Sequence, residues 1–241
     1  RIYGRGSWYM KAVLNAWIFA VQILQSIGFK PHGNIINQSV VGEESGDCGT
    51  LTHIIKGYSA DAAVLLEPTS LKVCPIQSGA LTFRLTIPGR ATHAAMRWDG
   101  VIAIEKFNLI QQSIVKFEKE RQDSVNVAYF EAKERVAPIN IGTIKGGEGH
   151  STVPESVVAE GRFGVFPSET TSNAMDAFED HIGKISNNDP WLKENPPVIE
   201  WFEGQFEAGQ TDLDDTIIHT LNDANMWSTG DAPIIKGVTY G

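Results

Sequence analysis

The residues best suited to chemistry in this sequence are carboxylates placed at the ends of apolar runs. Glu43 and Glu44 follow a run that stops at Gly42-Glu43-Glu44-Ser45-Gly46, and Glu67 closes the run Ala62-Ala63-Val64-Leu65-Leu66. Open α/β sheets place ligands beyond the carboxyl ends of their strands, so both positions are favourable. Adjacent carboxylates point in different directions, and one can bind a metal while the other holds a water for proton transfer. Taken singly, two glutamates in a loop are more often an ordinary solvated turn. Glu67 differs, because an unpaired carboxylate ending a buried strand is costly, which points to a ligand or an ion pair.

His93 lies in Gly89-Arg90-Ala91-Thr92-His93, between an alternating segment and a helical one. A lone histidine at such a junction is more often a surface or capping residue than a catalytic one. His32, His53, His150, His181 and His219 show no metal-ligand spacing and receive no role. Arg162, in Glu160-Gly161-Arg162-Phe163, could hold a carboxylate through two parallel hydrogen bonds, with packing or a surface ion pair as the plainer account.

The elements that must position these residues fall into two textures. Residues 10–27 have helical apolar spacing closed by Gly28, and their uninterrupted length falls short of a membrane span, so a buried helix is expected. Strand-like runs at 34–42 and 62–66 flank a short helix at 50–56, giving strand, helix, strand. From Leu81 the pattern alternates, as a half-exposed strand does. A helix capped by Asp99 follows, with Ala103, Phe107, Ile110, Ile114 and Phe117 on one stripe, then an irregular loop over 118–138. Strands at 139–144 and 157–165, a helix bearing Met175, Phe178 and Ile182, and a strand at 198–202 complete a split βαβ, ferredoxin-like order. A helix containing Ile217, Ile218 and Leu221 then returns to the first texture. The fold expected is α/β, in which residues 1–77 and 205–241 form one domain interrupted by a second at 78–204.

The 241 residues are 42% hydrophobic, enough for a real core, and carry a net charge of −9. That charge disfavours nucleic acid and anionic membrane as partners, leaving a small molecule as the expected substrate. Cys48 and Cys74 fit no disulfide framework or zinc ribbon, so a reducing, cytoplasmic setting is expected. The chain opens within a motif at Arg1-Ile2-Tyr3-Gly4-Arg5-Gly6 and stops at Tyr240-Gly241, and both ends are expected to be truncations.

Six segments, in order, resemble one known family. They are Gly4-Arg5-Gly6-Ser7-Trp8-Tyr9-Met10-Lys11, the Gly42–Gly49 segment, Glu67-Pro68-Thr69, the Gly89–His93 segment, Gly146-Gly147 with Val153-Pro154, and Lys236–Gly241. Together they look like the acetylornithine deacetylase, succinyl-diaminopimelate desuccinylase, aminoacylase and carboxypeptidase G family of dinuclear zinc amidohydrolases. The resemblance implies a zinc-exopeptidase-like α/β domain interrupted by a ferredoxin-like lid through which subunits form a homodimer. It implies two zinc ions, for which cobalt can substitute, and a substrate that is an N-acyl amino acid or a dipeptide. It makes Glu43 the general base, Glu44 and Glu67 metal ligands, and His93 the group that stabilises the oxyanion in the partner's site.

One residue departs from the family pattern. Tyr9 stands where the resemblance implies an aspartate bridging both metals, and a neutral phenol with a pKa of about 10 cannot span two ions about 3.5 Å apart. The family's upstream His-x-Asp pair and downstream histidine are not in the sequence. Weak metal binding and low turnover are therefore expected of this chain. The alternative from another class is an inactive relative that acts through its dimerisation domain as a binding module. An aminopeptidase without a lid is disfavoured by the long insert.

Overall fold

The computed structural model describes residues 3–5, 10–43, 46–132 and 135–240. Glu44 and Tyr9 lie outside the described residues. The chain divides into two compact units: residues 1–74 with 212–235 and 241, and residues 75–211 with 236–240.

The second unit is built on β2 (Gly79–Pro88), α3 (Ala103–Ser124), β3 (Ile139–Gly146), β4 (Ser156–Val165), α4 (Thr171–Asn187), the short α5 (Pro190–Glu194) and β5 (Val198–Phe206). Its four strands form one antiparallel sheet in the order β3-β4-β2-β5, the topology that the alternating periods predict. Alternation along β2 sends Leu81, Phe83, Leu85 and Ile87 to one face, where all four are fully buried. α3 lies over β2, β3 and β4, and α4 over β2 and β5. The buried side of α4 is Ala174, Phe178 and Ile182, at helical spacing.

The centre of this core is aromatic. The ring of Phe178 lies 5.0 Å from those of both Phe83 and Phe163, and Trp201 meets all three edge-on. Gly161 makes room for this arrangement. A Cβ there would sit 2.6 Å from Phe83 Cζ and 2.3 Å from the Asn140 carbonyl oxygen. At one end of the core Arg121 is buried against Phe163 and Phe166, and its guanidinium is neutralised by Glu169 at 2.6 Å. Burial pushes its pKa down, but an arginine stays charged, and the paired carboxylate is what makes that tolerable.

Two local expectations are corrected here. α3 is capped at Ile102, with no side-chain cap, instead of Asp99, and it continues to Ser124 into the expected loop. Arg121 and Gln122 are buried in the last turns of α3, so the charged stretch keeps a covered side that its composition does not reveal. A three-stranded sheet is also present, ordered β6 (Gly209–Gln210), β1 (Val73–Gln77), β7 (Ile235–Val238). Its strands are too short for a periodic signal.

The first unit contains α1 (Met10–Ser26), α2 (Cys48–Ile55) and α6 (Thr216–Thr229). The helices appear where apolar spacing predicts them, but α1 has no buried residue, so the expectation of a buried helix fails. Residues 34–42 and 62–66 form no strand, and Ile35, Ile36, Val41, Val64 and Leu65 are exposed. The physical reason is that a strand exists only through its ladder, and no described segment pairs with either run. Among the described residues, the buried apolar side chains of this unit are Val73 and Ile218.

His181 joins α4 to α3. Its ring stacks on Phe117 at 4.3 Å, and Nε2 donates to the Ser113 carbonyl oxygen at 3.2 Å. Burial lowers its pKa below the ordinary histidine value, more than the Ser113 bond and Glu120 raise it. The unfolded chain therefore takes up a proton before the folded one, and stability falls as pH drops below about 6.5. Urea unfolding between pH 7 and 5 is expected to show this loss, and His181→Phe is expected to flatten it. An unchanged slope in the variant would exclude His181 as its source.

Candidate active site

In the second unit the candidate site is a rigid turn between β2 and α3. Two backbone bonds pair Arg90 with Val101, Val153 N–H donates to Thr92 O at 2.8 Å, and Ala94 N–H donates to Ser151 O at 2.9 Å. Gly100 lets the strands close, since a Cβ there would meet Thr92 Cγ2 at 2.6 Å and Arg90 O at 2.8 Å. Between these ties residues Ala94–Asp99 form a short 3₁₀ turn whose N-cap is His93.

The cap decides the chemistry of the histidine. His93 Nδ1 accepts the Ala95 N–H at 3.1 Å, so the neutral ring carries its proton on Nε2. An exposed imidazole N–H, fixed in tautomer by the backbone, is a donor suited to an oxyanion. Of the alternatives that the sequence leaves open, the capping bond is present, and it leaves Nε2 free of that bond. The same turn exposes Met96 to 55% and Trp98 to 83%. Their sequence signal is slight: two large apolar residues in an aperiodic stretch between Gly89 and Gly100.

Arg162 stands on β4 opposite Thr82, on the sheet face away from the helices. Its Nη2 donates to Thr239 O at 2.7 Å, and burial of the guanidinium lowers its pKa. Among the described residues it forms no salt bridge, in contrast to neighbouring Arg84, which is paired with Glu160 and Glu200. A partly desolvated cation with donors to spare can take an anion.

In the first unit Glu43 and Glu67 both follow apolar runs, as expected. Glu43 is exposed within a tight loop. Asp47 N–H donates to Gly42 O at 2.7 Å, Gly49 N–H donates to Val41 O at 3.1 Å, and a Cβ on Gly49 would meet Val41 O at 2.5 Å. Glu67 is half-buried and precedes a turn in which Ser70 and Leu71 have φ of 58° and 62°. Glu44 lies outside the described residues. Among the described residues no three histidine, cysteine, aspartate or glutamate side chains gather as a metal-holding group. These residues do not make up the three protein ligands that a catalytic zinc takes.

Residues 76–190 match the model of a peptidase dimerisation domain. The chain is 30% identical over 210 residues to the N-formyl-4-amino-5-aminomethyl-2-methylpyrimidine deformylase of Bacillus subtilis, covering 83% of this chain and 49% of that protein. It is 24% identical over 208 residues to a probable succinyl-diaminopimelate desuccinylase of Staphylococcus aureus, covering 78% and 51%. The chain thus spans about half the length of these curated relatives. Among solved structures, aminopeptidase PepT of Bacillus cereus superposes with a TM-score of 0.67 at 19% identity, over 95% of this chain and 57% of that one. An M20 family metallo-carboxypeptidase of Sulfolobus solfataricus superposes with a TM-score of 0.65 at 15% identity, over 100% and 65%. At these identities the structural likeness is one of fold.

The His93 assignment has a direct spectroscopic consequence. Long-range ¹⁵N–¹H correlation at pH 8 is expected to show His93 as the Nε2–H tautomer. A ring protonated on Nδ1 would contradict the capping bond.

Proposed function

The chain carries the dimerisation domain of the M20 peptidases, and on that premise we propose that it derives from a metal-dependent hydrolase of small amides, acting on an N-acyl amino acid or a dipeptide. The observation that carries the reading is His93, presented as an Nε2–H donor on a turn pinned by backbone bonds from both sides. The names of the relatives agree with it, since a deformylase and a desuccinylase both remove an acyl group from nitrogen. Residues 1–77 and 205–241 are the proposed catalytic part and 78–204 the proposed lid. The setting we propose is cytoplasmic; among the described residues no helix is long and apolar enough to cross a membrane.

In this reading Glu43 takes the proton of the attacking water and returns it to the leaving amine. His93 Nε2–H donates, in the site of a partner subunit, to the oxygen that becomes negative in the tetrahedral intermediate, a type of contact that typically lowers the barrier by about 3 kcal/mol. Arg162 holds the substrate carboxylate. Glu44 and Glu67 are the proposed zinc ligands, with Tyr9 in the place of a third carboxylate, so this chain holds metal weakly.

The test is release of free amine from N-acetyl and N-succinyl amino acids with zinc or cobalt added. Tyr9→Asp is expected to raise the rate, and adding Glu43→Gln in that background to lower it by about a hundredfold or more. Equal rates with and without the Glu43→Gln change would sink the assignment. Full activity with Tyr9 in place would remove the alternative of an inactive binding module.

We further propose that two copies associate through the lid. β3 is an edge strand carrying one charged residue, Lys145, and exposed Ile144. α3, packed over that half of the sheet, presents Ile104 and Val115 to solvent on one flank of its buried stripe. An unpaired edge beside such a helix face favours sheet continuation by a second copy. Sedimentation equilibrium is expected to give a dimer that Val115→Glu dissociates. A monomeric parent, or a variant that dimerises as tightly, would refute this interface.

A further inference from the structure

We propose that Trp98 and Met96 contact the substrate and select an N-acyl amino acid with an aromatic side chain. The inference rests on the reading of His93 given above. The turn that fixes the imidazole also fixes these two residues, because Met96 N–H donates to His93 O at 2.8 Å and Gly100 N–H donates to Arg97 O at 3.1 Å. Trp98 follows His93 by only five positions on that turn, and its indole is 83% exposed. With Met96, 55% exposed, it offers apolar surface on the same ordered turn as the imidazole. Its backbone is already ordered, so a ligand that covers the indole does not have to order the loop. A planar ring gains most from such a surface, through stacking on the indole, with the polarisable Met96 thioether lining its edge. The other aromatic rings of this unit near the turn are committed: Trp191, for example, donates Nε1–H to Pro88 O at 2.9 Å and lies under Arg90.

The test compares N-formylphenylalanine with N-formylcyclohexylalanine, which share a carboxylate and an amide and differ in ring planarity. Binding is followed on the full chain through ¹³C-methyl methionine signals. Met96 is assigned with Met96→Leu, and Met175 in the helix layer serves as the internal reference. The aromatic ligand is expected to shift the Met96 signal and to bind more tightly than its saturated counterpart. Trp98→Ala is expected to weaken the aromatic ligand about two- to tenfold and to abolish the difference between the two. An exposed position makes misfolding of this variant a small concern, and the unchanged Met175 signal checks it.

Equal binding by Trp98→Ala and the parent would overturn the inference, as would ligand binding without movement of Met96. A Met96 shift that follows protein concentration instead of ligand would also overturn it, assigning the turn to a protein contact. Amine release in the assay above tells these failures from failure of the hydrolase reading itself. Release with no Trp98 effect removes only the selectivity. Absence of both binding and release removes both.

Discussion

The register between β2 and β4, running from Gly79 opposite Val165 to Pro88 opposite Ser156, is the constraint on which the rest of the second unit depends. A slip of one residue would turn Leu81, Phe83, Leu85 and Ile87 to the open face and press Thr82, Arg84 and Thr86 against the helices. The aromatic centre locks that register. Phe83 and Phe163 reach Phe178 only when Gly161 lies across from Phe83, where any side chain would collide with the ring. The same alignment leaves Arg162 on the open face and brings the end of β2 to the turn that holds His93. Packing and presentation of polar groups are thus two sides of one set of pairings.

What was legible in the sequence follows from the range of the forces involved. The strand, helix, strand, strand, helix, strand order could be read because Leu81 to Ile87, the stripe through Ile110 and Ile114, and the face of Phe178 and Ile182 each carry their own period. Those periods record burial on one side, which is local information. The runs at 34–42 and 62–66 misled for a related reason. Continuous apolar residues record a capacity to be covered on two faces, whereas the neighbour that would do so is not encoded in the run itself. The sheet of β6, β1 and β7 was illegible because two- to five-residue strands far apart in the chain have no pattern to show.

The candidate site was legible in kind but not in geometry. Glycine, carboxylate and histidine segments could be matched in order, and this pointed to Glu43, Glu44, Glu67 and His93, whereas Arg162 was proposed from its residue type. The bond from Ala95 that fixes the imidazole tautomer depends on the local course of the backbone through the turn, and the bond from Arg162 to the Thr239 carbonyl joins residues far apart in the chain. Nor could the sequence distinguish Arg84, closed off by two glutamates, from Arg162, which has no acidic partner among the described residues. Both sit on the open face of neighbouring strands, and only the third dimension separates a neutralised cation from an available one.

The thin interior of the first unit has a calorimetric consequence. The heat-capacity increase on unfolding comes from apolar surface newly given to water, and Phe19, Ile23, Ile36 and Leu65 already have that hydration in the folded state. Melting of residues 10–74 should then absorb heat over a broad interval with little baseline step. The layer beneath β2, with its interlocked rings, should supply the sharp endotherm and nearly all of the curvature with temperature.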